Sequence, residues 1–314
     1  MTRAAYHGGS RPRLPTMTFN EGAGLDTSQV RSGGSSRGGV LVGGGAGSII
    51  LVVIGLLLGV NPFDQGGGGP FDTSQVQQAG ASEVDFSQCK TGADANRDVT
   101  CRIIGTVNSV QDYWRDALPA DANRQYRDAY TVIYSGQTQS PCGTASNAVG
   151  PFYCPTDEQI YIDAAFFDEL TSRFGADDGA LAQMYVVAHE YGHHVQNILG
   201  VLQYAQQDRQ GPASGAVRVE LMADCLAGVW AHHAATTQDE DGTTLIQPLT
   251  RSDIESALSA AAAVGDDRIQ KSATGSVDPE SWTHGSAEQR QRWFTTGYES
   301  GDLNTCDTLS ARTL

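Results

Sequence analysis

The sequence predicts an α+β protein, a mainly helical domain with a small sheet, preceded by one transmembrane helix. Three observations carry that expectation. An uncharged run of 21 residues, 40–60, stands between a polar leader and the rest of the chain. Apolar residues recur at helical spacing around 180–200 and 217–230, while 159–162 alternates like a short strand. At 314 residues with 39% hydrophobic side chains, the chain is long enough for a sizeable core and too apolar for full disorder.

The leader, 1–39, carries Arg3, Arg11, Arg13, Arg31 and Arg37 against Glu21 and Asp26, in Gly- and Ser-rich surroundings without apolar periodicity. It is expected to be disordered and basic, and His7 within it has no role. At about 1.5 Å per residue, 40–60 just crosses a hydrocarbon core of roughly 30 Å, and Gly55 and Gly59 form a GxxxG pair. The leader is too long for a signal-peptide n-region, and no small-x-small site follows Val60, so an uncleaved anchor is expected. Arginines precede the run and none lies close after it. That predicts a single-pass cell-membrane protein with a cytoplasmic N-terminus and an extracytoplasmic domain.

Residues 61–82 have the composition of a flexible Gly-rich linker, and 83–314 that of a globular domain. The pentapeptide DTSQV occurs on both sides of the apolar run, at 26–30 and at 72–76. The chain's net charge of −16 combines a leader of +3 with −19 beyond residue 60, where 15 basic side chains face 34 acidic ones. Such a surface aids solubility and repels polyanions, which excludes nucleic acid as a partner. All six cysteines also lie there, which predicts disulfides. Nearest-neighbour pairing gives Cys89–Cys101 and Cys142–Cys154, leaving Cys225–Cys306.

The chemistry is concentrated at His189-Glu190-Tyr191-Gly192-His193, an HExxH match inside the helical stretch. Residues four apart share a helix face about 5–6 Å apart, so two imidazoles can grip one metal ion. Glu190 can then take a proton from an activated water. Zinc needs a third protein ligand. A metzincin would place Gly and His where this chain has Gln196 and Leu199, which excludes that class. The gluzincin solution takes a Glu from a second helix, and 217–230 supplies Glu220 with Asp224 one turn later. Glu220 completes a His₂Glu site for one catalytic Zn²⁺, and Asp224 accepts the second ring N–H of His189 or of His193.

The segments CGTASNAVGPFYCPTDEQIYID (142–163), HEYGHHVQ (189–196), ELMADCLAGVW (220–230) and THGSAEQRQRWF (283–294) closely resemble the bacterial neutral zinc metallopeptidase family. The resemblance implies a zincin-like fold, zinc ligands at His189, His193 and Glu220, and Glu190 as the catalytic carboxylate. The basic tail, single span and Gly-rich linker are also similar to that family.

Around this centre, His284 is the candidate to stabilise a tetrahedral oxyanion, with Arg290 assisting and Ser286 capping the helix that follows. In zincin folds an edge strand pairs with extended substrate. Residues 150–163 are candidates for that strand, with Tyr153 and Tyr161 as pocket or hydrogen-bonding groups. His194 points about 100° away from its neighbour round the helix, which suits packing better than ligation. Gly192 implies a close approach beneath the metal. His232 and His233 are expected to be solvated.

The expected activity is hydrolysis of peptide or protein substrates by a membrane-anchored zinc endopeptidase. The alternatives are a zinc-binding but proteolytically silent anchored assembly protein, and a secreted peptidase freed by cleavage in the linker.

Overall fold

The computed structural model describes residues 18–34, 83–147, 149–239 and 241–314. In chain order its main elements are strand β1 (Val30–Gly33), helices α1 (Gly92–Arg97) and α2 (Val99–Ala122), and strands β2 (Tyr130–Tyr134), β3 (Gln137–Ser140), β4 (Gly143–Ser146), β5 (Phe152–Cys154) and β6 (Gln159–Asp163). Helices α3 (Phe166–Ser172), α4 (Ala180–Leu199), α5 (Tyr204–Gln207), α6 (Gly215–His233), α7 (Arg251–Ala263), α8 (Asp266–Thr274) and α9 (Ala287–Ser300) follow. A helical domain with small sheets is the α+β class that the sequence predicts.

The four-stranded sheet runs β1-β2-β6-β5, with β1, β2 and β6 parallel and β5 antiparallel at one edge. Its side chains alternate as a two-sided sheet requires. Ile133, Ile160 and Ile162 enter the main helical core, whereas Val132, Tyr134, Phe152 and Tyr161 pack beneath the β3–β4 hairpin. The strand-like stretch 159–162 is therefore an interior strand, and β5 is the edge.

Sequence-local signals set the helices that matter most. The Asp98 side chain accepts the Cys101 N–H at the start of α2, Ser214 accepts the Val217 N–H at the start of α6, and Gly200 ends α4 in the left-handed region at φ 73°. Ser286 caps α9 as expected, in a capping box with Gln289. Helix α4 lies against α6, and α6 against α9. Gly192 makes the first contact possible, because a Cβ there would stand 3.0 Å from the backbone of Ala223. Gly297 does the same for the second, where a Cβ would fall 2.0 Å from the Cys225 carbonyl oxygen.

All three expected disulfides are formed: Cys89–Cys101, Cys142–Cys154 and Cys225–Cys306. The last spans 81 residues and ties α6 to the C-terminal tail. Loop-closure entropy makes it worth about 4–5 kcal/mol against the unfolded chain.

The leader departs from expectation. Residues 18–34, read from composition as part of a disordered tail, belong to the folded domain. Phe19 is fully buried and bridges to Ile246. Asn96 holds the Thr18 and Phe19 backbone, Asn108 holds both backbone groups of Asp26, and Gln111 donates to Gln29. Val30 then starts a strand in register with Thr131, and the Arg31 guanidinium lies 3.5 Å from the Tyr130 ring centroid. Polar side chains on α1 and α2 supply the partners, so the segment folds without apolar periodicity of its own.

The anchor expected at 40–60 and the linker at 61–82 lie outside the described residues, as does the DTSQV copy at 72–76. Among the described residues, no helix is long and apolar enough to cross a membrane. Ser32 Oγ accepts the backbone N–H of Val84 at 2.7 Å, so the end of the described segment 18–34 and the start of 83–147 lie side by side. With β1 paired to β2, residues 18–34 lie on the same side of any membrane as the domain. This packing does not allow the expected division into a cytoplasmic tail and an extracytoplasmic domain.

Candidate metal centre

The candidate metal centre lies where α4 crosses α6. His189 and His193 occupy one face of α4, and Glu220 faces them from α6, all three buried. His189 Nε2 is 3.2 Å from one Glu220 carboxylate oxygen, and His193 Nε2 is 3.5 Å from the other. One ligand atom from each residue falls within 4.8 Å of the other two. Tetrahedral ligands about 2.05 Å from zinc would be separated by about 3.3 Å, so the spacing fits that ion. His193 Nε2 and Glu190 Oε2 are buried without a hydrogen-bond partner, an arrangement that costs free energy unless an ion or water fills it.

Each imidazole is oriented from behind. His189 Nδ1–H donates to Asp224 Oδ1 at 2.8 Å, which directs Nε2 toward the centre. His193 Nδ1–H donates to Gln196 Oε1 at 2.8 Å, and Gln196 in turn donates to the Val219 carbonyl on α6. The alternative left open for Asp224 is thus resolved in favour of His189. Gln196, which sequence reasoning used only to exclude another class, is the counterpart for His193. Its signal was its place one turn beyond the second ligand.

Asp224 anchors a larger fully buried group. Arg290 grips it with Nε and Nη2, at 2.8 and 2.9 Å, and the Tyr185 hydroxyl donates to Oδ1. Burial opposes the carboxylate's charge, but Arg290 and His189 hold its pKa below the usual range. Arg290 donates also to the Tyr185 hydroxyl and to the Val264 carbonyl. Its donors thus serve Asp224, Tyr185 and Val264, and Arg290 also lines the cleft with His284.

Charge in the centre is arranged by the same contacts. Burial lifts the Glu190 carboxyl to about 7. Burial works against a charged His189, yet the Asp224 and Glu220 carboxylates raise it to about 9. Burial lowers His193 to about 4. Burial also opposes ionisation of Glu220, but His193, His284 and His189 keep it well below the usual carboxylate range.

His284 lines the same cleft as the three ligands and Glu190. Asp266, the first residue of α8, holds it there. Asp266 Oδ2 accepts the backbone N–H groups of Thr283, His284 and Gly285 at 2.8, 2.7 and 3.0 Å, and Oδ1 lies 3.5 Å from His284 Nδ1. Gly285 turns the chain there at φ 90°. Burial resists protonation of His284, but Glu220 and Asp266 raise its pKa. Sequence reasoning missed Asp266 because its partners are backbone groups 17 to 19 residues away.

The hydroxyls of the two candidate tyrosines are both engaged within the fold. The Tyr153 hydroxyl bonds to His194 Nδ1 and the Asn197 side chain, locking β5 to α4. Tyr161 donates to Asp157 on the hairpin side of the sheet. What β5 does present is backbone, because the Tyr153 N–H approaches the Glu190 carboxylate. His194, bonded also to the Arg127 carbonyl, has the packing role expected of it. His232 and His233 are not simply solvated, since each bonds a backbone carbonyl at the end of α9, Tyr298 and Gly301.

A family model described as "Putative neutral zinc metallopeptidase" matches residues 19–309, a span that includes the unexpected N-terminal segment. Uncharacterized proteins of Mycobacterium bovis and Mycobacterium tuberculosis are each 53% identical over 260 residues, 82% of this chain and 86% of theirs. The uncharacterized protein YpfJ of Escherichia coli is 36% identical over 286 residues, 88% of this chain and 92% of its own. No solved structure matches the chain.

Proposed function

The chain belongs to the neutral zinc metallopeptidase family, and from that premise we propose that it is a zinc-dependent endopeptidase with Glu190 as general base. The observation that carries the reading is the convergence of His189, His193 and Glu220 in one cleft beside Glu190, whose Oε2 has no hydrogen-bond partner. His189, His193 and Glu220 would hold zinc, and the ion would supply Lewis-acid polarisation of a substrate carbonyl. Glu190 accepts a proton from the attacking water and passes it to the leaving amine. His284, fixed by Asp266, donates a hydrogen bond to the oxygen that becomes negative. Asp224 and Gln196 hold the two imidazoles, and Arg290 and Tyr185 hold Asp224. The edge strand β5, beside Glu190, offers backbone groups to an extended substrate.

Attachment to a membrane through 40–60 is supported by that run's apolar, uncharged composition; a single crossing is not, because β1 holds 18–34 on the domain's side. Three disulfides support an oxidising, extracytoplasmic location for the domain. Because β1 is part of the sheet, residues 18–34 share that side. Linker cleavage would accordingly leave 18–34 bound to the domain by its strand and by Asn96 and Asn108.

The zinc-loaded chain is expected to cleave unfolded protein or members of a peptide library, to lose that activity to a chelator and to regain it with zinc. Stoichiometric zinc without any cleavage would favour the silent assembly protein instead.

A further inference from the structure

The cleft extends beyond the catalytic groups, and its extension has a chemical character. Val186, one turn before His189 on α4, forms its wall together with Phe166, Phe174, Val264 and Ile269. The charged side chains lining the cleft are those already used at the centre. This wall accepts apolar surface and offers a charged side chain no partner. Phe174 and Ile269 also line a second, adjoining pocket, whose other boundary includes Arg173 and Arg268. No acidic residue lines this second pocket.

Both arginines are exposed. Arg173 has Glu169 only at 3.8 Å, and the Arg268 side chain makes no ion pair among the described residues. Beyond residue 60 acidic side chains outnumber basic ones by more than two to one. Two arginines on a single pocket beside the cleft therefore form a local exception to the field of the domain.

Resting on the peptidase reading above, we propose that the site selects peptides with a bulky apolar side chain next to the scissile bond and a carboxylate one or two residues further on. The apolar side chain seats against Val186, Phe174 and Ile269. The carboxylate pairs with Arg173 and Arg268. An extended chain advances about 3.3 Å per residue, so pockets that share a wall are served by neighbouring or next-neighbouring residues. An acidic side chain and a free C-terminus present the same group to these arginines.

Fluorogenic peptides test this, with Leu or Gly beside the scissile bond, Glu or Gln beyond it, and a free or amidated end. The zinc-loaded chain is expected to favour Leu over Gly on the order of tenfold or more in kcat/KM. It is expected to favour Glu over Gln about fivefold, and less as salt rises. Combining Arg173→Glu with Arg268→Glu brings the Glu-to-Gln ratio to one or inverts it. A gain from freeing the C-terminus that exceeds the gain from Glu assigns the carboxylate to the chain end, and the reverse assigns it to the side chain. Binding of the same peptides to the zinc-loaded Glu190→Gln chain provides a readout without turnover. Equal binding of Glu and Gln peptides, a ratio unmoved by the arginine reversals, equal binding of Leu and Gly peptides, or no binding at all overturns the proposal. Selective binding without cleavage by the native chain would sink the peptidase reading and leave this recognition standing.

Discussion

The crossing of α4 and α6 and the N-terminal segment 18–34 both belong to the folded domain, yet they are built by opposite means. At the crossing, two long helices carry their own instructions: apolar periodicity, caps, and ligands spaced by a helical turn. The N-terminal segment carries a four-residue strand, one fully buried aromatic and a row of backbone groups satisfied by side chains of α1 and α2. A region can therefore be as integral to a core as a catalytic helix while leaving almost no periodic trace in its sequence. What it leaves instead lies in its partners, where Asn108 and Gln111 are buried on α2 among apolar residues.

The largest expected effect tests whether that segment is structural. A chain lacking residues 1–34 loses β1 and Phe19, and is expected to lose most of the roughly 5–15 kcal/mol that stabilises a domain. Chemical denaturation of the full and shortened chains reads this, and equal midpoints would break the comparison. Phe19→Ala is the finer version, expected to cost about 3–5 kcal/mol while the folded fraction keeps its metal affinity. Equal denaturation midpoints, or a metal affinity that falls as well, would show that the two regions are not separable.

Substitutions at the crossing should show the converse pattern, with metal affinity changing more than fold. Asp224→Asn keeps the volume but weakens the charge and hydrogen bond behind His189, and is expected to weaken zinc binding about 10- to 100-fold in a competition titration. Gln196→Ala removes a neutral partner from His193, so its effect should fall nearer tenfold or below. A larger loss from Gln196→Ala than from Asp224→Asn would mean that the buried Arg290–Asp224 pair does not govern the site.

These contrasts explain what was legible in the sequence. His189, Glu190, His193, Glu220 and Asp224 could be read because ligand geometry on helices converts directly into residue spacing. The three disulfides followed from neighbour pairing once the cysteines fell in one domain. Tyr185 and Arg290 meet at Asp224 from positions 105 residues apart, a relation no local pattern encodes. The partners of Tyr153 and Tyr161, His194 and Asp157, depend on strand alternation and on how β5 meets α4, which the local sequence does not show. Composition misled at 18–34, where Gly, Ser and Arg suggested disorder and the stabilising groups lay elsewhere in the chain.

The central claim is that the crossing forms a hydrolytic zinc site with Glu190 as its base. Glu190→Gln removes the base and leaves His189, His193 and Glu220 intact. The variant is expected to bind one zinc per chain with nearly native affinity and to lose about 10²- to 10⁴-fold in peptide hydrolysis. Native-level hydrolysis by a zinc-loaded Glu190→Gln chain would contradict the account.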